Sequence, residues 1–478
     1  MPSALGRKAV ASQNYLASYF GAKVLEEGGN AFDAVIAMSA VLSVVMPHTS
    51  GLGGDAFLLA KTPEGLVAYN ASGYSPKNFF VRELRNPRDP NTVMVPGLVD
   101  LWAWVERRFM RKGLEEVLKP AIRLASEGFL VGKSLAKAVS EAKDMPRSWQ
   151  EVYGKLRFGE QLKLKEMAEA LKVISKDPRE FYKGDLAVDI VNGLAEQGVP
   201  VELSDFMEFR GFEVKPISTT YKDFTLYELP PNSQGVITLE VLEMVEESNV
   251  NSKPYNSLER INEHLKIYAL AYEDRDAYVA DPRYADGFEI LLDKDYVRER
   301  LTQNGIVPRE LGVKDTTFMV AGDGENEVAL IQSLFHNFGS GIVVKQIPFN
   351  NRGLGFGWGK NRPEPRKRPS HTLSILMAER KGETVIIGCS AGELRPQVQT
   401  QVFEYYADYM LEIDEAVYAP RFVLRGATFV VERRLGGIFT AGDYMTPEVG
   451  IVQALKKTDN GYIAVADPRS EGVALSLA

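Results

Sequence analysis

The chain is poor in the residues that many enzymes rely on. Among 478 residues there is one cysteine, Cys389, and there are four histidines, His48, His264, His336 and His371. One cysteine forms no internal disulfide, so the fold needs no oxidising compartment. There is no cysteine cluster for structural zinc or an iron–sulfur centre. The histidines stand far apart, and no HExxH-type pair exists, so neither metal nor cofactor is expected. A net charge of −8 argues against broad nucleic-acid binding, which needs a basic face to displace counterions. Long apolar runs are missing too. The longest, residues 34–46, is interrupted by Ser39 and Ser43 and is too short to span a bilayer. The first residues, MPSALGRKAV, do not read as a signal peptide. The expectation is a cytoplasmic protein without membrane association.

What is there fits a folded chain, with 45% hydrophobic and 25% charged residues. Asn30, with Asp33 three residues on, reads as the cap of a helix ending before Pro47. Strands are expected at 56–62 and 65–71, and mostly helix from 96 to 195. Strands near 211–219 and 223–229 precede helices at 234–246, 257–277 and 292–304. From Thr316 the pattern turns to short strands at 316–321, 328–333, 341–346, 373–377 and 384–388, then a helix at 395–410. The pattern is α+β or layered α/β, with a sheet-rich C-terminal third.

Three motifs invite chemistry. Gly388-Cys389-Ser390-Ala391-Gly392 matches G-x-S-x-G where a strand gives way to a helix. A serine hydrolase of that type needs a histidine after the serine, and none follows His371. The motif is then a tight turn, or a turn whose N–H groups hold an oxyanion. Gly353–Lys360 and the glycines of residues 51–54 match neither a P-loop nor a dinucleotide fingerprint. Lys360, Arg362, Arg366, Lys367 and Arg368 crowd one loop, read as a solvated loop or as a mouth for an anionic substrate. Asp315-Thr316-Thr317-Phe318 alone is only β-branched residues opening a strand.

Taken in order, longer segments carry more. They include GGNAFDA (28–34), PHTSGLGGDAF (47–57), VPGLVDLW (95–102), YELPPNSQG (227–235), DTTF (315–318), QSLFHNFGSGI (332–342), FNNRG (349–353), KRPSHTLS (367–374) and GCSAGELRPQ (388–397). Together they resemble the γ-glutamyltransferase family, also called glutathione hydrolases, a group of N-terminal-nucleophile hydrolases.

The resemblance implies a four-layer αββα sandwich and self-cleavage between Asp315 and Thr316. The large subunit is then 1–315 and the small subunit 316–478, interwoven in one folded unit as a heterodimer. A higher homo-oligomer stays open. It also implies that Thr316 is the nucleophile and that its freed α-amine is the base. The unperturbed pKa of such an amine, about 7.7–8.0, lies close to working pH. Ser333 falls where the family has a threonine bonded to the nucleophile, and Thr317 matches its second threonine. Ala391 and Gly392 fall at the oxyanion turn.

The substrate shell departs from the family. The histidine after the threonine pair is Phe318, and an asparagine is replaced by Phe335. The acid that grips a substrate α-amine is Gly355. His371-Thr372 stands for a Ser-Ser pair that meets the α-carboxylate. Asn351 and Arg352 lie in the matching run, and Arg352 is a candidate carboxylate partner. The family's carboxylate-binding arginine is missing from Ser72–Pro76, leaving Arg82 as the nearest substitute. The connection from Phe356 to Arg368 is short, so a reduced lid should admit water.

The expected activity is hydrolysis of γ-glutamyl amides such as glutathione, favoured over transfer. A glutaryl acylase, and an unprocessed relative with a binding role, are the alternatives.

Overall fold

The computed structural model describes residues 3–306, 308–309, 311–312, 316–436 and 442–478. Two antiparallel seven-stranded sheets occupy its centre. The first runs Val473–Leu477, Lys8–Ser12, Thr317–Gly322, Glu327–Ser333, Asp55–Thr62, Gly65–Ala71, Phe212–Glu213. The second runs Ser3–Gly6, Gly461–Ala466, Ile451–Thr458, Glu383–Ser390, Leu376–Arg380, Phe224–Glu228, Ile217–Tyr221.

Side chains alternate across a strand, and here both faces are buried. Phe318 and Val320 join Phe57, Leu59 and Ile331 against Met377, Ile386 and Leu455 of the facing sheet. Met319 and Ala321 point the other way, with Leu58 and Leu330, toward helices Tyr15–Glu26 and Ala31–Val45. In the second sheet Val385, Ile387 and Cys389 turn outward to helices Gly235–Ser248, Leu258–Tyr278 and Arg395–Ala407. The order helix, sheet, sheet, helix is the α+β sandwich that the resemblance implied.

Local chemistry explains the element ends. Asn30 accepts the Asp33 N–H at 3.0 Å, and the Asp33 carboxylate accepts the Asn30 N–H at 2.9 Å. This capping box starts the fully buried helix Ala31–Val45. The strand expected at 211–219 breaks into Phe212–Glu213 and Ile217–Tyr221, because Pro216 between them has no N–H for a ladder. The strand expected at 341–346 is a small hairpin instead. Val343–Val344 pairs with Ile347–Pro348 around Lys345 and Gln346, both at positive φ, as a two-residue turn requires.

One close approach joins the sheets beside Thr316. A Cβ on Gly388 would lie 2.2 Å from Cε2 of Phe318. Gly388→Ala is therefore expected to destabilise the protein by about 1–3 kcal/mol, the usual cost of overpacking a filled core. Trimming the ring with Phe318→Leu in the same chain should recover part of the loss, read as the urea midpoint at constant slope.

Candidate active site

Thr316 immediately precedes Thr317–Gly322 and is buried. The register pairs Thr317 with Gln332, which sets Thr316 opposite Ser333 on the inner face. Directly opposed side chains have Cβ atoms about 5 Å apart. From the facing sheet, Ser390 ends the strand Glu383–Ser390 at the same level, and its Oγ accepts the Thr316 backbone N–H at 3.1 Å. The Thr316 hydroxyl accepts a hydrogen bond from Arg395 Nη2 at 3.2 Å. Asp315, the residue expected on the other side of the cleaved bond, lies outside the described residues.

The turn after Ser390 is shaped for backbone donors. Ala391 has φ −152° and ψ 1°, and Gly392 sits at φ +55°, a left-handed conformation that favours glycine. Gln234 ties this turn to the substrate side. Its Nε2 donates to Thr372 O at 2.9 Å and to Gly392 O at 3.1 Å, while its buried Oε1 has no partner among the described residues. Glu393, the next residue, exchanges hydrogen bonds with Gly312, four residues before Thr316. Its carboxylate also faces Arg275 at 3.5 Å and Arg309 at 3.6 Å.

Beyond the turn lies a cavity of about 20 Å³ lined by Gln234, Phe335, Gly355, His371, Thr372 and Glu393, with Arg275 and Arg309. On the opposite side a cleft of about 440 Å³ reaches Ser390 past Gln13, His48 and Lys133.

The expected residues separate into those the structure brings to Thr316 and those it does not. Thr317 points to the helix layer, where its hydroxyl donates to Ser50 at 2.9 Å and Gln332 donates to the same Ser50 at 3.0 Å. Alternation along the strand puts it on the face opposite Thr316, so its hydroxyl supports the strand rather than the reacting atoms. The Ser333 hydroxyl stays on the inner face and accepts the Phe335 N–H at 2.8 Å. Phe318 is inter-sheet packing against Gly388. The lost histidine there changes the core rather than the substrate contacts.

Arg352 is not a free carboxylate partner. It is fully buried, faces Asp55 at 3.4 Å, donates to Thr372 Oγ1 at 3.3 Å and lies 4.3 Å from the Phe335 ring centroid. Burial pulls its pKa down to about 10, against the opposing pull of Asp55, so it stays charged at pH 7. Asp55 also binds His371 Nε2 at 3.0 Å and the Gly73 N–H at 2.9 Å. The Leu373 N–H donates to His371 Nδ1 at 3.2 Å, so the ring carries its proton on Nε2. Burial, with Arg352 adding, pushes the His371 pKa down to about 3. His371 is a neutral spacer at the cavity wall.

Asn351 clips loops together through His336 and Pro87 O. Arg82 is exposed on its loop, and among the described residues no contact brings it to this group. The Ser72–Pro76 stretch meets Arg368 instead, whose Nε donates to Ser72 O at 3.0 Å. Four of the basic loop's five cations pair with carboxylates, two of them sharing Glu364. Lys360 pairs with Asp286, Arg362 and Lys367 with Glu364, and Arg366 with Asp205 and Glu208.

Sequence reading missed Asp55, Gln234, Arg275 and Arg395. Each stands inside a family-like segment or a helix, but only the fold shows what its side chain meets. Cys389 is buried with its thiol pushed up to about 11, a packed residue rather than a reactive one.

Two outcomes are expected. Asp55→Asn leaves Arg352 buried without its counter-charge and should cost about 3–5 kcal/mol in urea unfolding, much of it recovered in Asp55→Asn with Arg352→Met. For His371 the folded pKa lies below the unfolded value, so the unfolded state takes up the proton first as pH falls below 6.5. Wild-type stability relative to His371→Gln should therefore fall by about 1.4 kcal/mol per pH unit between about pH 6 and 4.

Comparison with known proteins agrees with the geometry. The gamma-glutamyltranspeptidase family model matches residues 17–477. The chain is 34% identical to the glutathione hydrolase-like YwrD proenzyme of Bacillus subtilis, covering 99% of each. It is 28% identical to the oxamate amidohydrolase proenzyme of Klebsiella pneumoniae, covering 96% of this chain and 97% of that one. The crystal structure of a cephalosporin acylase from Bacillus halodurans superposes with a TM-score of 0.90 at 27% identity, covering 99% of this chain and 96% of that one. The chain belongs to the gamma-glutamyltranspeptidase family and is an enzyme of the N-terminal-nucleophile type.

Proposed function

We propose that the protein cleaves itself between Asp315 and Thr316 and then hydrolyses γ-glutamyl amides, glutathione among them, through an acyl-enzyme on Thr316. The observation that carries this is the setting of Thr316. Its backbone nitrogen meets Ser390, its hydroxyl meets Arg395, and both partners flank the Ala391-Gly392 turn.

The cycle balances without a metal or a histidine base. The Thr316 hydroxyl gives its proton to the freed α-amine as Oγ1 bonds to the amide carbon. The carbonyl electron pair moves onto oxygen, held by the N–H groups of Ala391 and Gly392. When that pair returns, the C–N bond breaks and the ammonium proton passes to the leaving nitrogen. Water then gives a proton to the amine and attacks the ester. Collapse returns the hydroxyl to Thr316 and releases the acid. The cavity is too small for an acyl group while the chain before Thr316 is docked on Glu393. In this reading cleavage frees that chain and enlarges the cavity.

A second reading, amides of dicarboxylic acids without an α-amine such as glutaryl, has its own support. Gly355 offers no anion to a substrate ammonium. Among the described residues the one carboxylate lining the cavity, Glu393, already faces Arg275 and Arg309. An uncompensated ammonium loses a charge-assisted bond, whereas a second carboxylate meets arginines.

Denaturing gels and mass spectrometry of wild type and Thr316→Ala test the proposal. Wild type should give two fragments, the smaller beginning at Thr316, and should hydrolyse γ-glutamyl or glutaryl anilides. Thr316→Ala should stay whole and inactive. A whole, inactive wild-type chain contradicts both readings. A strong glutaryl preference refutes glutathione as the substrate.

A further inference from the structure

Arg395 opens the helix Arg395–Ala407 just past the oxyanion turn, and its side chain folds back to the nucleophile. The guanidinium is completely buried. Nε donates to Cys389 O at 2.9 Å, Nη2 donates to Thr316 Oγ1 at 3.2 Å, and Nη1 has no hydrogen-bond partner among the described residues. Among the described residues no carboxylate pairs with it.

The other buried arginines of this layer are paired. Arg260 meets Glu404, and Arg421 and Arg469 meet Asp467 and Glu432. An unpaired buried charge is costly, so a group that only filled space would not be an arginine here. The titratable neighbours offer it little negative charge. Cys389, on the adjoining strand, has its thiol held up by burial. Glu228, on strand Phe224–Glu228, has its carboxyl pushed up to about 8 by burial. Glu393 is engaged by Arg275 and Arg309, and Asp55 by Arg352 and His371. His48, across the cleft beyond Ser390, is kept neutral by burial. Of its side-chain hydrogen bonds among the described residues, Nε holds the Cys389 carbonyl and Nη2 is the charged donor aimed at the Thr316 hydroxyl.

We propose that Arg395 is a catalytic residue with two effects on Thr316: it stabilises negative charge developing on Oγ1, and its like charge keeps the freed α-amine in the proton-accepting form. The proposal rests on Thr316 being the nucleophile. Arg395 keeps all its protons throughout. The hydroxyl proton goes to the amine, and the new electron density on Oγ1 is held by the Nη2–H bond. A cation lowers the pKa of a neighbouring amine and favours an adjacent anion. Loss of one preorganised donor at such a site typically costs about 10²–10³ in kcat.

The test uses the full chain as wild type, Arg395→Lys and Arg395→Gln, each checked for folding by circular dichroism and for self-cleavage by mass spectrometry. The expected result for Arg395→Gln is a fall in kcat of about 10²-fold or more with little change in KM. The acid limb of its kcat/KM profile should move to higher pH, because the amine regains basicity. Arg395→Lys keeps the charge and should hold the limb near its wild-type position. An unmoved acid limb in Arg395→Gln, or a loss confined to KM, overturns the proposal. A second measurement does not depend on the variants folding. The pH dependence of acylation of the Thr316 amine by an anhydride, read by peptide mass spectrometry, should give a wild-type pKa below about 7.7. A value within or above the ordinary range overturns the proposal. Failure of either test with self-cleavage intact removes only the role of Arg395. A wild type that never cleaves removes the Thr316 reading as well.

Discussion

Alternation along three residues, Thr316-Thr317-Phe318, organises everything around them. One strand, third of seven in its sheet, must present a hydroxyl to the facing sheet, anchor itself on the helix side, and return to the interior with an aromatic ring. Phe318 lies so close over Gly388 that the strands Thr317–Gly322 and Glu383–Ser390 have one mutual position. That position brings Ser390 to the Thr316 nitrogen and puts the Ala391-Gly392 turn at the strand end. A slip of one residue would exchange Thr316 for Thr317 on the inner face and dismantle the site.

Around this pair the charges fall into two groups. Asp55, Arg352 and His371 form a sealed group at the cavity wall that holds Phe335 and Thr372 in place. Arg275, Arg309 and Glu393 form a second group at the cavity's outer side, engaged with the chain that precedes Thr316. The basic loop, conspicuous in the sequence, is taken up by structure, because each of its five cations finds a carboxylate or a carbonyl.

Much of the architecture is legible in the amino-acid sequence. The capped helix at Ala31, the hairpin at residues 55–71 and the strand before Ser390 follow from caps, turns and apolar runs. The fold itself follows from the order of long family-like segments, which also single out Thr316 for the proposed role, since β-branched residues in a strand point to no chemistry alone. Sequence does not show which way each polar side chain faces. Family resemblance places Thr317 beside the nucleophile, and alternation takes it to Ser50. The same resemblance leaves Arg352 waiting for a substrate, while its ion-pair partner Asp55 lies in a distant part of the chain. Arg395 sits in the GCSAGELRPQ segment, where nothing in the sequence prefers it over its neighbours.

The central claim is that the Thr316 hydroxyl forms the covalent intermediate. Processed protein turning over a slow glutaryl or γ-glutamyl anilide can be quenched in acid and mapped by peptide mass spectrometry. The account predicts one acyl adduct, on the peptide beginning with Thr316, that decays when substrate is exhausted. An adduct on Ser390, Ser333 or Cys389 with Thr316 unmodified would contradict it.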